Sequence, residues 1–230
     1  MAEFHIRGGL GTQALSIYAA YAIALETNQT VDRLYFNHGN YPSETKDANI
    51  VFVDSIFQFR NKPEFIIVNG VAKTSAFNVS NAALIIKHWN AIQQEVFLKK
   101  QHEQTEKYIV HIRRIDRALV PIEKFDDITH MLTAANINYD ILSDDPLVYK
   151  RYGTRQASND PVLDWETILS AKTVYGGFST FTLLAGMLNP NLKLLIVRKE
   201  CCDSSIVSDS DWIAIDMYVR EFRNINWISI

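Results

Sequence analysis

KYIVHIRRIDR, residues Lys107 to Arg117, begins as a strand and ends in charge. Tyr108, Ile109, Val110 and Ile112 are apolar and mostly β-favouring, the mark of a buried strand. Side chains alternate across a strand, so His111 and Arg113 share one face and Arg114 and Asp116 the other. Imidazole and guanidinium at a strand exit suit an anion, because arginine offers a rigid fork of donors that never deprotonates. In open α/β sheets ligands sit beyond the carboxyl ends of the strands, where these residues lie. The competing possibility is a charged exit paired with nearby carboxylates.

Working outward toward the C-terminus, strand and helix signals alternate. The pattern predicts helix 122–135, strand 139–142, a short helix to about Arg151, helix 164–171, strand 173–175, helix 179–188, strand 192–197 and helix 210–223. Such alternation implies a parallel sheet with helices on both sides. Toward the N-terminus, Gln101–Lys107 (QHEQTEK) is strongly polar and reads as a linker between two halves. The first half opens with strand 2–7, a turn at Gly8-Gly9-Leu10-Gly11, and a helix from Gln13 to about Thr27 that is apolar nearly all round. Strand 31–36, a polar loop over 38–49, strand 65–68 and helix 81–99 follow; Ile50–Phe59 is ambiguous. His88 reads as a packed helix residue rather than a ligand.

Strand, glycine turn and buried helix also open nucleotide-binding units, in which glycines let a ligand approach a helix N-terminus. Three further groups stand at strand exits of the second half. One is His111-x-Arg113-Arg114-x-Asp116. Another is Ser143-Asp144-Asp145, whose carboxylates can accept from a guanine edge or ribose hydroxyls. Asp145 before Pro146 is equally an N-cap followed by an N1 proline. The last is Gly176-Gly177-Phe178-Ser179-Thr180-Phe181-Thr182, where hydroxyls and backbone N–H groups open a helix and converge on a point that suits an anion. Capping alone would also use Ser179 or Thr180. Together the groups would line one crevice and grip a pyrophosphate.

Composition narrows the class. With 47% hydrophobic and 21% charged residues over 230 positions, the chain is an ordinary globular protein of one large or two small domains. A net charge of -3 and a pI near 6.1 make a nucleic-acid partner an unfavoured expectation. No signal peptide or membrane span is read, and Cys201 and Cys202 give no disulfide framework, so the expectation is a reduced, cytoplasmic protein. No metal-ligand spacing is present, so no metal is expected.

The motifs resemble a known family. GGLGTQALSIYAAYAIAL is similar to the GGLGNQ-type opening of α-1,2-fucosyltransferases, and HIRRID to the HxRRxD motif of the wider fucosyltransferase superfamily. ILSDDP and GGFSTFTLLAGML resemble the second and third motifs, in the same order. The chain departs at Thr12, Ile115 and Leu183-Leu184, where the family has asparagine, glycine and a tryptophan pair.

The resemblance implies a GT-B-like α/β architecture, two Rossmann-like parallel-sheet halves facing a cleft. An acceptor-side domain would span 1–103 and a nucleotide-sugar-binding domain 104–230, the last helix packing back on the first. It implies inverting transfer of fucose from GDP-fucose to a glycan hydroxyl, without metal or other cofactor. The partners would be a nucleotide sugar and a carbohydrate acceptor.

By the same resemblance Arg113 would bind the donor phosphates and His111 line the nucleotide pocket. Asp144 or Asp145 would sit near guanine or ribose, and Ser179, Thr180 and Phe181 would close over the diphosphate. Gly9, Gly11 and Gln13 would face the cleft. Asp116 is the carboxylate nearest the motif for a base, although it faces opposite to Arg113. The alternatives are another nucleotide sugar, with a glycan or modified-DNA acceptor, and a non-catalytic nucleotide-sugar-binding protein.

Overall fold

The computed structural model describes residues 3–6, 10–37, 53–68, 79–113, 120–153, 160–177, 179–198, 200 and 208–229. The chain divides into two compact units, Met1–Gln101 with Ile213–Tyr218, and His102–Trp212 with Val219–Ile230. Among the described residues no helix is long and apolar enough to cross a membrane.

The first unit contains β1 (Glu3–Ile6), α1 (Leu10–Glu26), β2 (Arg33–Asn37), β3 (Phe57–Phe59), β4 (Glu64–Val68), α2 (Val79–Glu95) and β5 (Val96–Leu98). Strands β1, β2 and β4 form a parallel sheet in that order. Helix α1 is buried on several sides, with Ala14, Leu15, Ile17, Tyr18 and Ala22 wholly enclosed. It packs on α2, where Tyr18 stacks on Trp89 at 5.5 Å, meets Phe57 edge-on at 5.9 Å and donates its hydroxyl to Val96 O. At the C-terminal end of α1 the Glu26 carboxylate lies 2.6 Å from both Lys87 Nζ and His88 Nε2 in the middle of α2.

Two expectations change here. Helix α1 begins at Leu10, not Gln13, so Gly11 lies in its first turn, where the N–H groups have no intrahelical partner to lose. The helix expected to reach Lys99 stops at Glu95, because Val96–Leu98 pairs antiparallel with Phe57–Phe59. Tertiary pairing of β-branched and aromatic residues overrides the helical periodicity there.

The second unit contains β6 (Tyr108–Ile112), α3 (Ile122–Ala134), β7 (Tyr139–Ser143), α4 (Pro146–Tyr152), α5 (Pro161–Ser170), β8 (Thr173–Gly176), α6 (Thr180–Leu188), β9 (Lys193–Val197), β10 (Ile225–Ile228) and the two ends of α7 (Asp209–Glu221), whose middle, Ile213–Tyr218, belongs to the first. Its five strands are all parallel, in the order β10-β9-β8-β6-β7. Counted from β6, this is the doubly wound order 2-1-3-4-5 of Rossmann-like sheets. Ile109, Val110 and Ile112 of the inner strand β6 are wholly buried, as a parallel strand covered on both faces requires. Right-handed crossovers put α3 on one face and α5 and α6 on the other. Consistently, α5 and α6 pack together, with Trp165 edge-on to Phe181 at 4.9 Å.

Helix α5 starts earlier than expected, at Pro161, because Asp160 caps it by accepting from Val162 N–H at 2.9 Å. Strand β10 was not expected. It is short and pairs with one neighbour, β9, and Ile225 is its only fully buried residue. What holds it in place is Asn224. Its side-chain amide donates to Gly186 O (2.7 Å), Leu192 O (2.8 Å) and Asn189 O (3.1 Å), closing the C-terminal end of α6 and the approach to β9. Removing it would strand half-buried carbonyls. Asn224→Ala is expected to cost roughly 1–3 kcal/mol, read as a fall in denaturation midpoint. Asn226→Ala, which removes one exposed 3.4 Å contact, should change little; equal losses would deny Asn224 its role.

Candidate functional site at the sheet switch point

Strand order reverses between β6 and β8: the chain leaves β6 toward β7 on one side, then returns past it to β8 on the other. Connections diverge at such a point and leave a crevice beyond the carboxyl ends, where doubly wound proteins hold their ligands. His111, Arg113, Gly176, Gly177, Ser179 and Thr180 stand at these two strand exits.

Two glycines stand at the β8 exit. His111 and Gly176 are in register. A Cβ on Gly176 would lie 3.4 Å from His111 O and 4.0 Å from its Nδ1, which is ordinary van der Waals contact. At Gly177 a Cβ would come within 2.7 Å of Val120 Cγ2, which no packed side chain tolerates. Buried Val120, where the described chain resumes before α3, thus rests directly on the β8 exit.

The His111 ring stacks on Phe181 at 6.3 Å and 26°, and Phe181 in turn carries Trp165. The residue is half-buried, but its Nδ1 is closed off from solvent and has no hydrogen-bond partner among the described residues. Burial, with the nearby Arg113 charge as a second cause, lowers its pKa to about 4. The imidazole is therefore neutral at pH 7, and the fixed positive charge here is that of half-buried Arg113.

Two helices open at this edge. Ser179 is the N-cap of α6, its Oγ accepting from Phe181 N–H at 3.3 Å. A hydroxyl that accepts still has its own proton to donate. Helix α3 has Pro121 at its N-cap position and no side-chain cap. Its Lys124 N–H donates to Pro121 O at 3.1 Å, and the positive end of its dipole lies at this edge.

At the β7 exit Asp145 caps α4, accepting from Leu147 N–H at 2.9 Å with Pro146 at the first helical position. Asp144 is exposed. The structure therefore brings together His111, Arg113, Ser179, Thr180 and Phe181, sets Asp144 and Asp145 at the adjoining exit, and gives Asp145 a structural task. Gly11 and buried Gln13 lie on α1 of the first unit. Gly9, Arg114 and Asp116 fall outside the described residues. Among the described residues no three His, Cys, Asp or Glu side chains are grouped to hold a metal ion.

Sequence reasoning missed Asp164, on the first turn of α5 beside Trp165. Burial, then the Asp160 charge, raises its pKa to about 6. A D-P pair preceding the helix was the available signal. These features define a doubly wound α/β unit with a neutral imidazole, a fixed guanidinium and two helix starts at its switch point. Compared with known proteins, the chain matches no family model, no curated protein and no solved structure.

Two measurements test this geometry. Gly177→Ala must displace Val120 and is expected to cost about 1–3 kcal/mol, with Gly176→Ala costing less. Adding Val120→Ala should recover part of the Gly177→Ala loss; strict additivity in denaturation experiments would disprove the contact. The second concerns Asp164. Its folded pKa is raised, so folding binds a proton between about pH 4 and 6, and stability falls as pH rises through that window. Asp164→Asn should therefore gain on the native protein between pH 4 and 7.5, by about 1 kcal/mol once solvent screening of a half-exposed carboxyl is allowed for. A pH-independent difference would mean that Asp164 titrates normally.

Proposed function

We propose that the chain is a glycosyltransferase that transfers fucose, with inversion, from GDP-fucose to a hydroxyl of a glycan acceptor. The observation that carries the donor half of this reading is the switch point. A guanidinium and two helix N-termini meet there, a set of groups suited to a diphosphate. The order of the four motifs, which resembles that of α-1,2-fucosyltransferases, supplies the sugar and the reaction type. In this reading the two units are the halves of a GT-B-like enzyme, and the second holds the nucleotide.

In an inverting displacement the diphosphate leaves as the acceptor oxygen attacks. Negative charge on the leaving phosphate grows along the way. In this reading Arg113 and the helix starts meet that growing charge, so they stabilise the transition state more than the bound donor. The neutral His111 shapes the wall of the seat without adding charge. An acceptor hydroxyl needs a base in hydrogen-bond reach. Asp116 is the candidate from the motif, and Asp164, with its raised pKa, is a second carboxyl suited to holding a proton near neutrality.

Folded Arg113→Ala protein should lose about 10²–10³ in transfer rate, the usual cost of removing one preorganised donor. Arg113→Lys should lose nearly as much, since a point charge does not replace the fork. Transfer from GDP-fucose is followed by mass spectrometry of the acceptor, and GDP affinity by calorimetry with and without divalent metal. Near-native transfer by Arg113→Ala would remove the donor-site assignment. Tighter binding of UDP than GDP would replace the donor.

A further inference from the structure

We infer that Tyr149 is a positioning residue, which clamps the end of β7 so that Asp144 presents its carboxylate to the ribose hydroxyls of a bound nucleotide; this rests on the donor site proposed above.

Among the described residues strand β7 is an outer strand, paired with β6. Its last residue, Ser143, would leave backbone groups open at that edge. The buried Tyr149 hydroxyl serves both, accepting from Ser143 N–H at 2.8 Å and donating to Ser143 O at 3.0 Å. It stands where a neighbouring strand would have been. The turn is then tied twice more. Asp145 N–H donates to Ser143 Oγ at 3.1 Å, and Leu147 N–H donates to Asp145 Oδ1 at 2.9 Å. Residues 143, 145, 147 and 149 thus form one closed hydrogen-bonded turn, and Asp144 is the exposed residue within it.

The position of Asp144 matters. In doubly wound nucleotide-binding units the phosphates lie at the exit of the first strand, and a carboxylate at the end of the second holds the ribose hydroxyls. Counted within this unit, β6 is the first strand and β7 the second, side by side, with Ile112 opposite Ser143. Asp144 follows directly. A carboxylate can accept from both hydroxyls of a ribose, and a backbone held in place orients it for that. Tyr149 supplies that, and it lies close enough to feel the charges of both Asp164 and Asp144.

The test compares wild type, Tyr149→Phe, Asp144→Asn and the double variant by calorimetry against GDP, its 2′,3′-dideoxy analogue and inorganic pyrophosphate. Tyr149→Phe should weaken GDP about tenfold, the equivalent of one lost hydrogen bond to a charged group. It should leave dideoxy-GDP and pyrophosphate within about twofold. Asp144→Asn should do the same, and the double variant should bind GDP no more weakly than the weaker single variant. Should Tyr149→Phe fold poorly, Ser143→Ala loosens the same turn from its other tie and should show the same selectivity. Amide exchange at residues 143–145 should quicken in either variant.

Equal weakening of all three ligands, multiplicative losses, or unchanged GDP binding in folded Tyr149→Phe would each overturn the role. Wild-type protein that binds pyrophosphate but does not prefer GDP over dideoxy-GDP would refute the ribose contact alone. Protein that binds none of them would refute the donor site, and the inference with it.

Discussion

The packing of Val120 onto Gly177 at the β8 exit is the contact on which this edge of the second unit depends. One residue earlier, Gly176 is in register with His111, where a Cβ would make ordinary van der Waals contact. The imidazole lies against Phe181, and Phe181 carries Trp165, which ties α5 and α6 to the sheet through one line of rings. Aromatic contacts of this kind contribute about 0.5–1.5 kcal/mol each beyond burial. At Gly177 the missing side chain leaves the space that Val120 takes, which brings the chain entering α3 against the β8 exit.

The electrostatics follow from the same packing. Closing off His111 Nδ1 removes water from it, and a charged imidazole beside Arg113 would be costly. The ring stays neutral and the arginine keeps its charge. Asp164 is perturbed in the opposite sense, its half-buried carboxyl retaining a proton to about pH 6. The second unit thus carries a base made weak at His111 and an acid made weak at Asp164. Perturbed groups cluster at functional sites because those sites need charge where solvent is scarce.

Strand β6 and the parallel αβ alternation were legible because they rest on local signals: apolar β-branched runs, glycine turns and strand spacing. Ser179 and the Asp145-Pro146 pair were legible as caps. What escaped depends on distant partners. Val96–Leu98 has the same apolar spacing as the helix before it and becomes a strand only because Phe57–Phe59 lies alongside. Strand β10 depends on an Asn224 amide that finds three carbonyls from another part of the chain. The strand order, which turns three scattered motifs into neighbours, is not written in any of them. Nor is the raised pKa of Asp164, which comes first from burial and then from the Asp160 charge.

The two sides of the crevice differ in how completely they satisfy themselves. At the β7 exit every tie in the turn is internal: Tyr149 to Ser143, Asp145 to Ser143, Leu147 to Asp145. That side is preorganised and has little to gain in order from a ligand. On the other side α3 begins at a proline with no side-chain cap, and His111 Nδ1 has no partner among the described residues. Buried or terminal polar groups left in that state cost free energy that an anion can return by accepting from the helix start. A phosphate would thus complete the β6–α3 side as a missing cap does, while the β7 side orients what is attached to it. Affinity and orientation would then be drawn from different parts of one sheet edge, which is the division of labour expected where a charged leaving group must be held while the bond to it breaks.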